Sequence, residues 1–269
     1  MTFKDAITER FGASALDGPD LLTQMASRGS ARHFTGEDVP LGLVQALAAT
    51  ALASPTKSDL QQRDILIVTD PALHQSLADC CGDQEWIAKA PVLLIFLANH
   101  RRQRRLSTMH GLPFDNDHAD APFNAAIDAA VAMATFVAAA ERIGLGCCPI
   151  STIRNEPERV RELLGLPDQV FPAMGLGLGW PKYPPRTSMR LPLSVTLHEN
   201  RFDDAGEEDA IRAYDRARNA HRPFARQRLV EELGKSADYG WSEDKARQYL
   251  HPQRAGWGAW LRRIGLNLT

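Results

Sequence analysis

A long alanine-rich segment near the middle of the chain most restricts the folds open to it. Residues 122–143 place alanines and medium-sized apolar side chains at helical spacing, and Gly144 follows where a left-handed C-cap is favoured. Small side chains allow close approach, so we expect a central, closely packed helix. Its most apolar part, residues 125–140, contains Asp128 and is shorter than the roughly 20 residues needed to span a bilayer. The pattern predicts a core helix and no membrane segment.

Short apolar runs elsewhere in the chain predict buried strands. Each run is too short for a core helix and is bounded by polar or turn-forming residues. Asp70 and Pro71 follow the first run as an N-cap and a first-turn proline, which predicts a helix reaching about Cys81. The predicted strands are residues 64–69, 91–98, 170–179 and 193–197.

Further helices are predicted from spacing and from caps. Asn155 can cap a helix that stops at Gly165, whereas the polar stretch 99–119 has no sustained period and predicts a loop or a partly ordered excursion. Other segments with helical spacing are residues 1–11, 39–53 and the region after about residue 205, which carries Trp241, Trp257 and Trp260.

Strands and helices in mixed order, with more helix than strand, predict an α+β fold. We expect an α-β-α sandwich in which one mixed sheet is covered by helices on both faces. We divide the chain into a core domain of residues 1–204 and a helical extension of residues 205–269. The glycine-rich run 175–179 leads into Trp180 and not into a helix, so it lacks the context of a dinucleotide-binding motif and predicts a strand.

Composition excludes some classes of function. The formal net charge of −2 and the 24% of charged residues give no strong basic field, so we expect no nucleic-acid binding. Residues 1–11 mix charged with apolar side chains and do not resemble a secretory signal, which favours a cytoplasmic protein.

The cysteines occur as two adjacent pairs. Cys80 with Cys81 and Cys147 with Cys148 match neither a zinc ribbon nor a CxxC redox motif. We expect buried reduced thiols, and a catalytic or metal-binding role is the less favoured alternative. The acidic loop residues Asp115, Asp117, His118 and Asp120 have metal-ligand chemistry but are typical of a solvated loop, so we predict no metal site.

Arg28, Ser30 and Arg32 alternate along a short polar segment. In an extended chain, alternate side chains lie on one edge, so two guanidiniums and a hydroxyl could bind one anion such as a phosphate. A solvated basic loop has the same composition. These residues alone favour the solvated loop.

Five ordered segments of the chain, the first of which contains Arg28, Ser30 and Arg32, change that balance. The segments are SRGSARHF at 27–34, ASPTKSDLQ at 53–61, GDQEWIA at 82–88, GLGCCPISTIRN at 144–155, and GLGLGWP at 175–181 followed by RLP and LHEN. Together they resemble the nitroreductase family over roughly residues 20–202, and the later segments resemble its oxygen-insensitive, NADPH-preferring nitroreductase and flavin reductase branch.

The resemblance implies non-covalently bound FMN, with NAD(P)H as the electron donor. It assigns the FMN phosphate to Arg28, Ser30 and Arg190, and it puts Arg32 near the N1 and O2 edge, where a cation stabilises reduced flavin. A main-chain amide of Ser151 or Thr152 would face flavin N5, so no catalytic side chain is required. The remaining implied cofactor contacts are Gly29, Ala31, Thr56, Lys57, Asp59, Gln84, Pro149, Ile150 and Ser188.

Two departures from that branch bear on specificity. Ser188 stands where the branch carries a lysine, which leaves the phosphate site one cation fewer. Asp238 stands upstream of Trp241, where the branch has arginines that hold the NADPH 2′-phosphate, and would repel that group. We therefore expect NADH to be accepted as well as, or better than, NADPH. The possible compensating cations are Lys235, Lys245 and Arg247.

The resemblance also implies a ping-pong reaction in which one pocket serves both half reactions. The expected acceptors are small, flat and electron-poor, such as nitroaromatics, quinones or free flavin, and the expected assembly is a homodimer. Two alternatives remain open. The unusual Cys147, Cys148 and Pro149 leave room for specialised dehydrogenation or reductive dehalogenation of a defined metabolite, and a non-catalytic FMN-binding protein would share the same arginines.

Overall fold

The computed structural model describes residues 1–12 and 16–269. The strands are β1 Arg63–Val68, β2 Val92–Asn99, β3 Gly146–Ile150 and β4 Val170–Gly179. The helices are α1 Phe3–Phe11, α2 Thr23–Ala26, α3 Leu41–Leu52, α4 Pro71–Asp79, α5 Glu85–Ala88, α6 Arg101–Met109, α7 Asp120–Arg142, α8 Pro157–Leu164, α9 Leu193–Thr196, α10 Glu207–His221, α11 Val230–Leu233, α12 Trp241–Gln248 and α13 Trp257–Arg263.

Backbone contacts divide the chain into two compact units. The sheet unit consists of Ser30–Pro185 and Arg254–Thr269, and the helical unit consists of Met1–Gly29 and Arg186–Gln253. The sheet unit contains all four strands with α3 to α8 and α13, whereas the helical unit contains α1, α2 and α9 to α12.

The sheet has the strand order β1-β2-β4-β3. A mixed sheet was predicted, but each pairing between these strands is antiparallel. Connections between them run through helices, which the sequence pattern cannot distinguish from parallel crossovers. The α+β class is confirmed, and the predicted mixture of strand directions is wrong for the described pairings.

The central strand β2 explains why the strand sequences are continuously apolar. Its alternate side chains contribute to two separate core clusters, with Leu94 and Phe96 in one and Leu93 and Ile95 in the other. Successive residues of a strand point to opposite faces, so both faces of this sheet are buried. Residues of α3, α7 and α13 complete the first cluster, and residues of α4, α5 and α8 complete the second. The sheet unit is therefore an α-β-α sandwich.

Helix α7 confirms the predicted core helix. It is long and apolar enough to cross a membrane by length and composition alone. Its small side chains, however, are buried in the first core cluster, where Phe136 packs edge-on against Phe96 of β2 at a ring-centroid distance of 5.9 Å. The alanines allow the helix to approach the sheet closely, and Gly144 follows it with a φ of +89°.

Three local predictions are wrong. The polar stretch 99–119, predicted as a loop or a partly ordered excursion, contains the helix α6, whose Arg102 and Arg104 form ion pairs with Asp64 and Asp117. The predicted strand 193–197 is the short helix α9 after Pro192. The N-cap of α8 is Glu156 and not Asn155, whose side chain accepts from Arg254 NH1 at 3.0 Å.

Candidate functional site

Residues 31–35 lie along the sheet unit next to β3 and the end of β4. Ala31 N donates to the carbonyl of Cys147 at 3.0 Å, and Thr35 N donates to that of Trp180 at 2.8 Å. Phe34 and Pro181 form an antiparallel bridge. Ala31 is buried on this side of the sheet, whereas Arg32 and His33 are exposed.

Arg32, Gln84 and Thr152, predicted from separate motifs, meet around Trp86. The guanidinium of Arg32 lies 5.9 Å from the centroid of the Trp86 ring. Trp86 Nε1 donates to Gln84 Oε1 at 3.3 Å. Gln84 Nε2 in turn donates to Thr152 Oγ1 at 2.8 Å. The structure thus brings a cation, an amide and a hydroxyl together at the end of β3.

Exposed and buried residues alternate at the end of β3. Pro149 and Ser151 are exposed, Ile150 is buried between them, and Thr152 begins a 3-10 turn, Thr152–Arg154. The carbonyls of Ser151 and Thr152 accept from Arg154 N at 3.2 Å and from Asn155 N at 2.9 Å within this turn.

The cysteines are free and buried, as predicted. Burial raises the pKa of Cys81 to about 11, although a hydrogen bond with Thr152 acts in the opposite direction. Burial also raises the pKa of Cys80. A thiol with a raised pKa is a poor nucleophile at neutral pH, so Cys80 and Cys81 act as apolar packing groups.

The loop that carries Thr56, Lys57 and Asp59 is held by a buried carboxylate. Asp128 of α7 is only 1% exposed, and its two oxygens accept from Lys57 N at 2.9 Å and from Gln62 N at 3.0 Å. Lys57 and Asp59 point to solvent and Thr56 is half-buried. The sequence analysis treated Asp128 only as an interruption of an apolar helix, and that interruption was the available signal.

In the helical unit, Arg28 and Arg190 line one cavity of about 560 Å³. Gly29 packs so closely on the main chain of Arg186 that a Cβ would collide with it. Thr187 Oγ1 also donates to the carbonyl of Ser27 at 2.9 Å. Two segments distant in sequence are thereby joined, and each carries one predicted phosphate-binding arginine.

Arg10, which the sequence analysis did not single out, fixes these two segments. Its Nε donates to the carbonyl of Ala26 at 2.8 Å, and NH2 donates to that of Arg28 at 2.5 Å. NH1 donates to the carbonyl of Ser188 at 3.1 Å, while Arg190 N donates to the carbonyl of Arg10 itself. Arg10 also lines the cavity, so it adds a third positive charge there even though Ser188 replaces a lysine. The Ser188 hydroxyl accepts from Arg190 NH1 at 2.6 Å.

Near Trp241, where the resemblance places the residues that determine nucleotide specificity, two of the cations form ion pairs within the protein. Arg247 is 7% exposed and pairs with Glu243 at 2.6 Å, so it is not available to a nucleotide phosphate. Lys245 pairs with Asp244 at 2.8 Å. Burial acts against that carboxylate, but hydrogen bonds from Lys245 and Tyr239 keep the pKa of Asp244 lowered. The third possible compensating cation, Lys235, is exposed. The acidic side chain of Asp238 is exposed as well.

The acidic loop residues have other partners. Asp117 pairs with Arg104, His118 lies 2.8 Å from Asn116 Oδ1, and Asp120 accepts from Asn124 Nδ2 at 2.5 Å. Among residues 1–12 and 16–269, no three His, Cys, Asp or Glu side chains come together as a metal site.

Comparisons with known proteins agree over most of the chain. A sequence profile described as "Nitroreductase family" matches residues 25–180, and one described as "Nitroreductase family, C-terminal domain" matches residues 188–269. An FMN reductase (NAD(P)H) of Bacillus subtilis is 30% identical over 199 residues, covering 73% of this chain and 80% of that protein. An oxygen-insensitive NADPH nitroreductase of Salmonella typhimurium is 35% identical over 186 residues, covering 69% and 75% respectively.

Solved structures extend the likeness to the fold. NfrA2 of B. megaterium superposes with a TM-score of 0.83 at 26% identity, covering 92% of this chain and 98% of that one. The NADPH:FMN oxidoreductase of Vibrio harveyi, solved with NAD+, gives a TM-score of 0.78 at 26% identity, covering 91% and 97%.

Proposed function

The chain belongs to the nitroreductase family and is an FMN-dependent NAD(P)H oxidoreductase, and on that premise we propose that it reduces small, electron-poor acceptors by a ping-pong mechanism. Nitroaromatics, quinones and free flavin are the acceptor classes we propose. All are flat, so they can stack on an isoalloxazine ring. Relatives named as FMN reductase and NADPH nitroreductase support this range.

The donor set in the helical unit fits a phosphate group. Arg28 and Arg190 line the same cavity, and Arg10 adds positive charge while its donors are held by main-chain carbonyls. Guanidiniums bind phosphate through paired, charge-assisted hydrogen bonds. We propose that Arg28 and Arg190 hold the FMN phosphate, with Gly29 and Ser188 beside them. Ser30, next in the chain, is a further proposed donor.

In the sheet unit, Arg32, Gln84 and Thr152 are the proposed contacts for the ring. When bound, FMN supplies the redox chemistry, taking hydride from NAD(P)H and passing electrons to the acceptor. Arg32 is exposed and cationic, so it can stabilise negative charge that develops on a reduced ring. The other proposed contacts follow the same segments: Ala31, Thr56, Lys57, Asp59, Pro149, Ile150 and Ser151.

The convergence of Arg32, Gln84 and Thr152 around Trp86 is the observation that carries the proposal. The purified protein should bind FMN. When NADH or NADPH is added under anaerobic conditions, its visible absorption at about 450 nm should disappear. A colourless protein that cannot be reconstituted with FMN would contradict the proposal. Bound flavin whose colour NAD(P)H leaves unchanged would favour the non-catalytic alternative.

The ping-pong order can be tested by steady-state kinetics. NAD(P)H and the acceptor use one pocket in turn, so the oxidised nucleotide leaves before the acceptor enters. Initial rates at several fixed acceptor concentrations should give parallel double-reciprocal lines. Intersecting lines would require both substrates to be bound together and would rule out a shared pocket.

Nucleotide preference is proposed from the helical unit. Arg247 is buried against Glu243 and Lys245 pairs with Asp244, so two of the three possible compensating cations already have carboxylate partners, while Asp238 is exposed and would repel a 2′-phosphate. We propose that kcat/KM for NADH equals or exceeds that for NADPH. Asp238→Asn should raise kcat/KM for NADPH by about three-fold and leave that for NADH unchanged, since it removes only a repulsion between exposed charges. A strong NADPH preference in the unaltered protein would refute the proposal.

A homodimer in the cytoplasm is proposed as the working form. Buried free cysteines in both adjacent pairs are consistent with a reducing compartment. An apolar stripe on α7, formed by Phe123 and Ile127, is exposed and suits a self-complementary interface.

A further inference from the structure

The amide of Gln84 has one orientation, set by its neighbours. Its Oε1 accepts from the indole Nε1 of Trp86 at 3.3 Å. Its Nε2 donates to Thr152 Oγ1 at 2.8 Å and to the carbonyl of Cys81 at 3.3 Å. An indole N–H can only donate and a main-chain carbonyl can only accept, so these partners determine which end of the amide is oxygen.

The orientation leaves the amide with a single kind of hydrogen-bonding capacity. Both hydrogens of Gln84 Nε2 are used inside the protein. One lone pair of Oε1 receives the indole hydrogen of Trp86, and among residues 1–12 and 16–269 no other group donates to this oxygen, so its second lone pair can accept from a ligand. Gln84 can therefore accept a hydrogen bond from a ligand but cannot donate one.

Trp86 is itself fixed from the sheet side. Its six-membered ring packs on Gly177 of β4, where a Cβ would stand 2.8 Å from Cζ3 of the indole. The guanidinium of Arg32 lies 5.9 Å from the ring centroid, within the range of a cation–π interaction. A single half-buried indole thus contacts the strand below it, the cation of one motif and the amide of another.

We propose that Trp86 is a positioning residue for flavin binding. It keeps Gln84 as an acceptor towards the ring and holds the guanidinium of Arg32 against its face. The inference rests on the proposed function, because it assumes that Arg32 and Gln84 meet FMN. Gly177 contributes to this positioning, because the absence of a side chain at Gly177 leaves space for the indole of Trp86.

Trp86→Phe tests the hydrogen bond while keeping an aromatic ring over Gly177. We expect FMN to bind about five-fold more weakly, as for the loss of one net hydrogen bond, and the visible bands of bound FMN to shift. Gly177→Ala alters no polar group but displaces the indole, so it should give the same weakening and the same spectral shift. Fluorescence titration with FMN and absorption spectra of the holoenzyme measure both effects.

Trp257→Phe is the matched control. The guanidinium of Arg154 lies 5.9 Å from the ring centroid of Trp257, the same distance as between Arg32 and Trp86, and Trp257 packs against Phe171 in the core. Losing this indole should leave the FMN dissociation constant within about two-fold of the unaltered value. Equal weakening in Trp257→Phe and Trp86→Phe would overturn the proposal, because any lost indole would then suffice.

A measurement without flavin separates this inference from the proposed function. In the flavin-free protein, the side-chain amide resonances of Gln84 should move in Trp86→Phe and in Gly177→Ala, and should stay in place in Trp257→Phe. Gln84 resonances that stay in place in Trp86→Phe and Gly177→Ala would overturn the positioning role. The role would also be overturned if both variants bound FMN with unaltered affinity and unaltered absorption bands. Failure of the unaltered protein to bind FMN would instead refute the proposed function and leave the resonance test decisive.

Discussion

Arg10 is 6% exposed, and its guanidinium donates to three main-chain carbonyls, those of Ala26, Arg28 and Ser188. A planar guanidinium presents several N–H groups in fixed directions, whereas a lysine ammonium is a single point donor. The three carbonyls belong to the two segments that carry Arg28 and Arg190. Arg10 therefore sets the spacing of the proposed phosphate-binding arginines.

Arg10→Lys should keep the charge and lose that geometry. We expect about 3 kcal/mol less free energy of unfolding, because buried carbonyls lose charge-assisted hydrogen bonds, and about ten-fold weaker FMN binding. Urea unfolding and FMN titration measure the two effects. Arg212→Lys on α10, an exposed pair with Glu208 at 3.4 Å, serves as the control and should change neither quantity. Wild-type stability in Arg10→Lys would contradict the role assigned to Arg10.

His100 gives the sheet unit a pH dependence. The side chain is 1% exposed, and its Nε2 has no hydrogen-bond partner within the described part of the chain. Burial and the charge of Arg104 lower the pKa of His100 from 6.5 to about 4. Above pH 6.5 both the folded and the unfolded chain are neutral at this residue. Between pH 6.5 and about 4 only the unfolded chain takes up the proton, so stability falls as the pH falls.

We expect this one histidine to remove about 3 kcal/mol of the free energy of unfolding between pH 7 and pH 4. His100→Asn should lack that component, so its stability should depend less steeply on pH than that of the unaltered protein. Denaturant unfolding at several pH values tests this, because carboxylate contributions cancel in the comparison. The exposed His110→Asn is the control. Parallel pH profiles for His100→Asn and the unaltered protein would refute the assignment.

At the scale of elements, α7 is both a core helix and the support of a loop. Asp128 accepts from the main-chain N–H groups of Lys57 and Gln62, one with each carboxylate oxygen. The loop between them has positive φ at Ser58 and Asp59. A conformation of this kind persists where the surrounding contacts hold it, and Asp128 supplies two such contacts.

Asp128→Asn should therefore destabilise the protein by about 2 kcal/mol, since one main-chain N–H would face an amide N–H in place of an oxygen. Amide hydrogen exchange at Lys57 and Gln62 should accelerate along with the loss of stability. Asp120→Asn at the start of the same helix is the control, because Asp120 is exposed and accepts from the Asn124 side chain. Unchanged exchange at both amides would show that the loop holds its shape without the carboxylate.

Elements with strong periodicity could be predicted from the sequence, and weakly patterned ones could not. Helices α3, α4 and α7 and strand β4 follow from apolar spacing and from caps such as Asp70. Helix α6 could not be predicted because this arginine-rich segment lacks the regularly spaced apolar residues that indicate a helix. Its ion pairs with Asp64 and Asp117 involve residues outside the helix, so the sequence of the segment itself does not reveal them. The apolar run 193–197 fits a strand or a helix equally well, and Pro192 precedes a helical turn here.

The residues of the candidate site also fall into a group that could be predicted from the sequence and a group that could not. Arg32, Gln84 and Thr152 belong to motifs that the resemblance identified, and the structure brings them together. Trp86 and Arg10 act on those motifs through partners far away in sequence, such as Gly177 of β4 and the carbonyl of Ser188. Contacts of this kind depend on the tertiary fold, so composition and spacing could not reveal them.

For the whole molecule, the exposed side of α7 bears on assembly. Phe123 and Ile127 lie about one turn apart and are 63% and 42% exposed, while Ala125 and Asp128 on the same helix are buried. A core helix that also presents large apolar side chains to solvent exposes hydrophobic surface that a second copy of the chain could cover. A two-fold interface would bring the same stripe from both protomers together.

Ile127→Glu should weaken the proposed homodimer strongly. Two-fold symmetry places one carboxylate from each protomer in the interface, and burying unpaired charge costs several kcal/mol, so we expect a dimer dissociation constant at least about 100-fold higher. Sedimentation equilibrium measures that constant, and circular dichroism checks that the protomer keeps its fold. Ile127→Leu, which keeps the apolar surface, should remain a dimer. A dimeric Ile127→Glu protein would exclude the α7 stripe from the interface, and a monomeric unaltered protein would refute the proposed homodimer.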